Sequence, residues 1–234
     1  MGSEQQMHQK QITLNPISIP GAAQALRYNG KDRYGFHLGV FTPLILLLIL
    51  LHVPAAMIWL EIIPFEYRFH ALFFVMAGFV YYCFLRRYSL RELGFRTDNI
   101  NPSLGWNCLF CVAGAIGLYI TYKAGILRPQ SQNSFPGLYV FYIFFLGPVQ
   151  EVVFRGMLFA EIKRIHFLPN RSFLWASSLS FCFLHIIYRH PPLLLIAFIS
   201  GLAWGIIFIK WPNIWGIALS HSLLGALALF LGVI

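Results

Sequence analysis

The chain has 234 residues, of which 58% are hydrophobic and only 11% are charged. Soluble domains carry about 25% charged residues, so this composition excludes an ordinary soluble fold, whose surface needs more charge. The formal net charge is +9, but Lys and Arg lie almost entirely between apolar runs. That placement favours contact with lipid headgroups over a nucleic-acid interface. We therefore expect an integral membrane protein that binds no nucleic acid.

A polar N-terminal segment, residues 1–35, is followed by seven apolar runs. A helix needs about 20 mostly apolar residues to cross a bilayer. The predicted spans are Phe36–Leu60, Phe69–Leu85, Leu104–Tyr122, Leu138–Ile162, Ser172–Tyr188, Leu193–Ile209 and Ile214–Val233. The pattern predicts an all-α, polytopic membrane helix bundle with about seven transmembrane helices. We divide it into the segment 1–35, N-terminal membrane helices at 36–137, and a core of later helices at 138–234.

The longest connection within the membrane region, residues 86–103, has an amphipathic sequence between Tyr88 and Arg96. Such a stretch is typical of a helix lying in the membrane interface. We expect a short interfacial helix here, on the cytoplasmic side.

The basic residues indicate the orientation. Of the 17, twelve fall on the side of the N-terminus, four on the opposite side, and Arg155 lies inside a span. Cytoplasmic connections carry the excess of Lys and Arg, so we expect a cytoplasmic N-terminus. The shortness of the chain and the lack of an extra targeting segment favour a bacterial inner membrane. The seven spans show no duplicated halves, which argues against a transporter.

Ionisable side chains inside a span cost about 2.5–3.5 kcal/mol each on insertion scales and are candidate functional residues. Glu151 is the only acidic residue placed deep in a predicted span, and Arg155 the only deep cation. Four positions apart, they share a helix face and are expected to pair. Gly147-Pro148 precedes them. A proline kink there would place Glu151 in the first turn of a new helical segment, where the helix dipole favours a negative charge.

Two histidines, His185 and His221, also lie well inside predicted spans, and Phe181 is one turn before His185. A single intramembrane histidine is typical of a hydrogen bond between helices. Two of them, together with the polar cluster around Glu151 on a third span, indicate a functional site.

Three short motifs follow one another in these spans: Gln150-Glu151-x-x-x-Arg155, Phe181-x-x-x-His185 and His221-x-x-x-Gly225. Their order resembles the motifs of the CPBP family, which includes the CAAX prenyl endopeptidases and bacterial relatives. The resemblance covers roughly 138–234, and it implies peptide-bond hydrolysis in the membrane by a glutamate-activated water. The substrate would be a membrane-associated peptide or protein.

The family pattern also implies roles. The leading Glu of the first motif is the general base, the two His position or polarise water and substrate, and a closing Asn helps stabilise the oxyanion. Carried over by position, the catalytic residues are Gln150, Glu151, His185 and His221. The supporting residues are Arg155, Phe181 and Gly225.

Two positions depart from the family pattern. Gln150 stands where the leading Glu belongs, and an amide does not accept a proton at neutral pH. Gly225 stands where the closing Asn belongs and has no side-chain donor. Gln150 has three explanations: an engineered Glu→Gln change, a natural residue with Glu151 as the base, or a family member that has lost catalysis. The missing donor at Gly225 would come from a backbone group, a water or another span.

Two other classes of function remain open. A non-enzymatic scaffold or immunity-like partner-binding protein of the same fold predicts that Glu151 is fully paired with Arg155 and that the two His share no cavity. A zinc hydrolase predicts Cys182, His185, His221 and Glu151 as ligands. The leading interpretation, a protease that uses no cofactor, predicts that Gln150, Glu151 and both His converge on one cavity.

Overall fold

The computed structural model describes residues 38–127, 129 and 136–234. The predicted N-terminal segment, 1–35, lies outside these residues. Within them the regular structure is helical throughout, which confirms the all-α prediction. The seven helices are α1 (Leu38–Trp59), α2 (Arg68–Arg86), α3 (Ile100–Lys123), α4 (Pro136–Arg164), α5 (Asn170–Leu184), α6 (Pro191–Lys210) and α7 (Ile214–Phe230). Short 3₁₀ turns, Phe65–Tyr67 and His185–Tyr188, precede α2 and follow α5.

Five of these helices, α1 to α4 and α6, are long and apolar enough to cross a membrane. Helix α7 is a shorter apolar helix of 17 residues, and α5 has 15 residues. The outer faces carry large apolar side chains, such as Phe74 at 82% exposure and Phe84 at 79%. A surface of this kind matches hydrocarbon rather than water. The multi-pass membrane prediction therefore stands, with five full-length spans among the described helices.

The later helices pack closely around α4. Helix α7 lies against α3 and α4, α5 lies against α6 and α1, and α1 also contacts α2. At Gly147 an added Cβ would lie 2.5 Å from Ser222 Oγ, so glycine lets α4 and α7 approach closely. Ser222 Oγ donates to the Ile143 carbonyl over 2.9 Å. The α4–α7 contact brings the first and third sequence motifs together.

Helix α4 is continuous but widens twice into π-helical turns, Tyr142–Leu146 and Val152–Met157. In the first, the Gly147 N–H donates to the Tyr142 carbonyl. Pro148 has no N–H to donate, and this wide turn accommodates the missing hydrogen bond without breaking the helix. The expected restart of the helix near Glu151 was therefore wrong, and Glu151 lies in the interior of the helix. π-helical turns are frequent at functional sites.

The predicted interfacial helix between α2 and α3 was also wrong. Residues 87–99 form turns and irregular backbone. Arg87 ends α2 in the left-handed region, at φ 49°, and Gly94 adopts φ 88°. Residues in the left-handed region do not continue a right-handed helix. The amphipathic segment therefore does not form a helix.

This connection instead packs on the core. An added Cβ at Gly156 would lie 2.7 Å from the Leu93 carbonyl, so only glycine lets the connection lie against α4. The Gly94 carbonyl accepts the Ile214 N–H over 2.9 Å, which joins it to the start of α7. Gly156, which directly follows Arg155 of the first motif, thus serves this contact.

Candidate active site

The first and third motifs meet at one carboxylate. Glu151 Oε1 accepts a hydrogen bond from Arg155 Nη1 over 2.8 Å and is in contact with His221 Nδ1 from α7. Glu151 and Arg155 are fully buried, and His221 is 2% exposed. A carboxylate only accepts, so Nδ1 of His221 carries the proton of this contact, and in the neutral imidazole of that tautomer Nε2 is an acceptor. The expected Glu151–Arg155 pair is present, and His221 shares it.

Aromatic rings surround this cluster. The Arg155 guanidinium lies 4.8 Å from the centroid of Phe181 and 5.3 Å from that of Trp204. His221 stacks on Trp204 with ring centroids 4.7 Å apart and an interplanar angle of 25°. Cation–π contacts of this kind stabilise a desolvated cation. Sequence reasoning missed Trp204, because a Trp in an apolar helix carries no catalytic signal.

The second motif joins the cluster through Phe181. Its ring lies 4.7 Å from that of His185 and 5.2 Å from that of His221. His185 begins the 3₁₀ turn after α5, and its Nδ1–H donates to the Phe181 carbonyl over 2.8 Å. This bond fixes the ring orientation and leaves Nε2 as the acceptor.

Two largely apolar cavities meet this cluster. The first, of about 130 Å³, lies among α1, α2, α4 and the end of α5, and its polar lining includes Gln150, Tyr142 and His185. The second, of about 340 Å³, lies among α3, α6 and α7, and includes Tyr142, His185 and His221. His185 and Tyr142 line both cavities, whereas Glu151 lines neither of these two. The four residues predicted to be catalytic are thus close together but do not all face one cavity.

Several polar atoms here lack a partner among the described residues. They are Gln150 Oε1, Glu151 Oε2 and Arg155 Nε, all buried. Buried polar atoms are usually satisfied by protein or by ordered water. Gln150 Oε1 belongs to a residue that lines the first cavity.

The residues of the zinc alternative do not form a metal site. The Cys182 thiol donates to the Leu194 carbonyl over 3.3 Å. Across the described ranges, His, Cys, Asp and Glu side chains form no group of three or more placed to hold a metal ion. A structural or catalytic zinc needs at least three such ligands, so this donor set does not fit zinc.

Besides Trp204, sequence reasoning missed two residues close to the motifs. Tyr142, in the first π-helical turn, has its hydroxyl 3.2 Å from His221 Nε2 and is 6% exposed. Glu161, near the end of α4, is 2% exposed and hydrogen-bonded to Arg86 and Tyr88. Glu161 lies close to the end of its predicted span and so gave no signal of burial. Tyr142 gave a weak one, as a hydroxyl inside an apolar run.

Comparison with known families agrees with the motifs. Residues 132–227, less than half of the 234-residue chain, match the family model described as type II CAAX prenyl endopeptidase Rce1-like. This segment includes α4, α5, α6 and most of α7 and is similar to a CAAX endopeptidase domain. The match is to an Rce1-like domain of the CPBP family, which confirms the resemblance given by the three motifs. Comparisons with curated proteins and with solved structures gave no match.

Proposed function

We propose that the chain is an intramembrane endopeptidase whose reaction centre lies between Gln150, His185 and His221. The observation that carries this proposal is the contact of Glu151 with His221, which unites the first and third motifs beside His185. Apolar cavities on both sides suit a peptide segment held in the membrane. The family match supports protease chemistry for this domain.

The position of the general base is Gln150 rather than Glu151. Glu151 is fully buried, and its Oε1 already holds Arg155 and His221. Gln150 lines the first cavity together with His185, and its Oε1 has no partner in the described part of the chain. A carboxylate at position 150 would reach water there, whereas Glu151 orients His221.

The chemistry follows from this placement. A carboxylate at position 150 takes a proton from water, and the resulting hydroxide adds to the scissile carbonyl carbon. The tetrahedral oxyanion then collapses, the C–N bond breaks, and the carboxyl group returns its proton to the leaving amine. The amide of Gln150 can hold the water but cannot take its proton. We therefore expect the unaltered chain to bind substrate with little or no turnover.

The Gln150→Glu variant tests this function. It and the unaltered chain are placed in liposomes with a library of membrane-anchored peptides, including peptides with a prenylated Cys near the C-terminus, and cleavage is read by mass spectrometry. We expect cleavage by Gln150→Glu alone and loss of it in Gln150→Glu/His185→Ala. If neither form cleaves any peptide, the proposal fails. Cleavage by the unaltered chain would instead assign the base to Glu151.

A second candidate function is a partner-binding membrane protein of the same fold. The observation in its favour is the amide at the base position. It predicts that Gln150→Glu gains no peptidase activity and that a membrane protein partner co-purifies with both forms in equal amounts. Co-purification lost on filling a cavity, for example with Ala113→Phe in the second cavity, would place the partner there.

A further inference from the structure

The glycine at the end of the third motif has its side-chain space filled by another residue. An ideal Cβ at Gly225 would lie within 3.0 Å of three atoms of Tyr142, namely Cε1, Cζ and the hydroxyl oxygen. Real Cβ atoms do not approach other atoms so closely. The phenol end of Tyr142 therefore occupies the space into which any side chain at position 225 would project.

The Tyr142 hydroxyl points at the reaction centre. It lies 3.2 Å from His221 Nε2. In the neutral tautomer with its proton on Nδ1, which faces the Glu151 carboxylate, Nε2 is an acceptor and the hydroxyl donates to His221. Tyr142 lines both cavities, as does His185. A proton donor thus faces the region between the two histidines, where a scissile carbonyl would lie.

Two features of α4 hold this hydroxyl in place. Tyr142 begins a π-helical turn, and its carbonyl accepts the Gly147 N–H. The next residue, Ile143, accepts through its carbonyl a hydrogen bond from Ser222 on α7 over 2.9 Å. The backbone around Tyr142 is therefore joined to the helix that carries His221 and Gly225, and the buried ring has little room to move.

Hydrolysis of a peptide bond needs a donor aimed at the oxygen that becomes negative. We propose that Tyr142 supplies this donor, with its hydroxyl acting in place of the amide side chain that Gly225 lacks. The inference rests on the proposed endopeptidase function. In the free protein the hydroxyl donates to His221 Nε2; when the tetrahedral intermediate forms, it turns its O–H to the oxyanion. No bond to Tyr142 is made or broken.

Tyr142→Phe in the Gln150→Glu form tests the donor while keeping the ring. Loss of one oxyanion donor lowers kcat by about 10²–10³-fold, and we expect KM to change little because the ground-state carbonyl needs the donor less. The matched control is Tyr81→Phe, which makes the same change at a side chain 64% exposed on α2. It should leave kcat unchanged. Melting curves of both variants check that they fold.

A reciprocal exchange tests whether an amide side chain at position 225 can replace the Tyr142 hydroxyl as the donor. Tyr142→Ala should lose activity, and Gly225→Asn alone should lower the melting temperature because the two side chains overlap. In the double variant Tyr142→Ala/Gly225→Asn, the amide enters the vacated space, and we expect at least tenfold recovery of kcat over Tyr142→Ala. The recovery would distinguish a donor from a ring that only packs.

The outcomes separate the two proposals. If Gln150→Glu cleaves and Tyr142→Phe cleaves equally well, Tyr142 is not the donor, although the endopeptidase function stands. If the double variant folds but is no more active than Tyr142→Ala, the claim that the Tyr142 hydroxyl acts in place of an amide at position 225 is contradicted. If no form cleaves any peptide, the endopeptidase function falls, and the role of Tyr142 falls with it.

Discussion

Helix α4 carries two buried carboxylates in contrasting settings. Glu161 uses both oxygens: Oε1 accepts from Arg86 Nε over 2.7 Å and from Tyr88, and Oε2 accepts from Arg86 Nη2 over 3.0 Å. Glu151 uses one oxygen for both Arg155 and His221, and its Oε2 has no partner among the described residues. Both carboxylates are at most 2% exposed.

The surroundings of Glu161 explain its complete set of partners. Burial raises the pKa of the Tyr88 hydroxyl far above its ordinary value, and the adjacent Glu161 carboxylate adds to this. The phenol therefore stays protonated and donates. A fully satisfied buried network fixes one arrangement of the chain, and this one joins α4 to the end of α2.

The contrast teaches how to tell a structural carboxylate from one in a reaction centre. Leaving buried polar atoms of a network without hydrogen-bond partners costs free energy. Such a network is retained where water or substrate supplies the missing hydrogen bonds. The cluster around Glu151 has such atoms beside two cavities, whereas none of the Glu161 side-chain oxygens is unpaired in the described structure. Two experiments test whether this difference separates function from stability, and a third adds an exposed carboxylate to the comparison.

The largest expected difference is in catalysis. In the Gln150→Glu form, Glu151→Gln removes the charge that orients and polarises His221. By analogy with the carboxylate of a catalytic triad, we expect kcat to fall by roughly 10²-fold or more. Glu161→Gln in the same form should leave kcat unchanged. Peptide cleavage in liposomes measures both.

The control is the folded fraction, read from melting curves, because only folded protein counts toward kcat. Equal losses of kcat in the two variants would remove the distinction between the two carboxylates.

The next difference is in stability. Arg155→Met leaves Glu151 buried without its cation, and breaking a buried pair costs about 3–5 kcal/mol. Arg86 is 30% exposed, so the loss of its bonds to Glu161 is screened by solvent, and Arg86→Met should cost nearer 1.5–3 kcal/mol, roughly the value of hydrogen bonds to a charged group. The free energy of unfolding is measured by SDS titration in mixed micelles with tryptophan fluorescence. A larger loss for Arg86→Met would contradict the ranking.

The smallest effect concerns an exposed carboxylate, Asp98, in the connection between α2 and α3. Hydrogen bonds from Arg96 over 2.9 and 2.5 Å lower the pKa of Asp98 from 3.8 to about 2. Since the folded-state pKa is depressed, the stabilisation is present above pH 3.8 and is lost as the pH falls toward 2. Arg96→Ala should raise the pKa of Asp98 toward 3.8.

A titration of the ¹³C-labelled Asp98 carboxyl by NMR measures this pKa. The matched control is Arg91→Ala, since Arg91 contacts Asp98 at 3.2 Å and is 72% exposed; its removal should shift the pKa less. An unchanged pKa in Arg96→Ala would show that the pair does not persist in solution.

The sequence predicted the helices well because five of the seven are long apolar runs. The predicted span Leu138–Ile162 lies within α4, Pro136–Arg164, and Leu193–Ile209 lies within α6, Pro191–Lys210. It also predicted which motifs belong together, since buried ionisable groups in apolar runs are rare enough to stand out. These features are local in the chain. The roles of Gln150, Glu151, His185 and His221 remain predictions.

Tertiary structure decided the features that depend on contacts between distant residues. The pattern near Tyr88 reads as an interfacial helix, but packing against Gly156 and Ile214 folds the connection as turns. The sequence shows Gly225 as a missing donor, whereas only the packing of α7 on α4 places the Tyr142 hydroxyl in that space. Composition and period determine which segments enter the membrane; side-chain volumes and hydrogen bonds between helices determine which polar groups meet there.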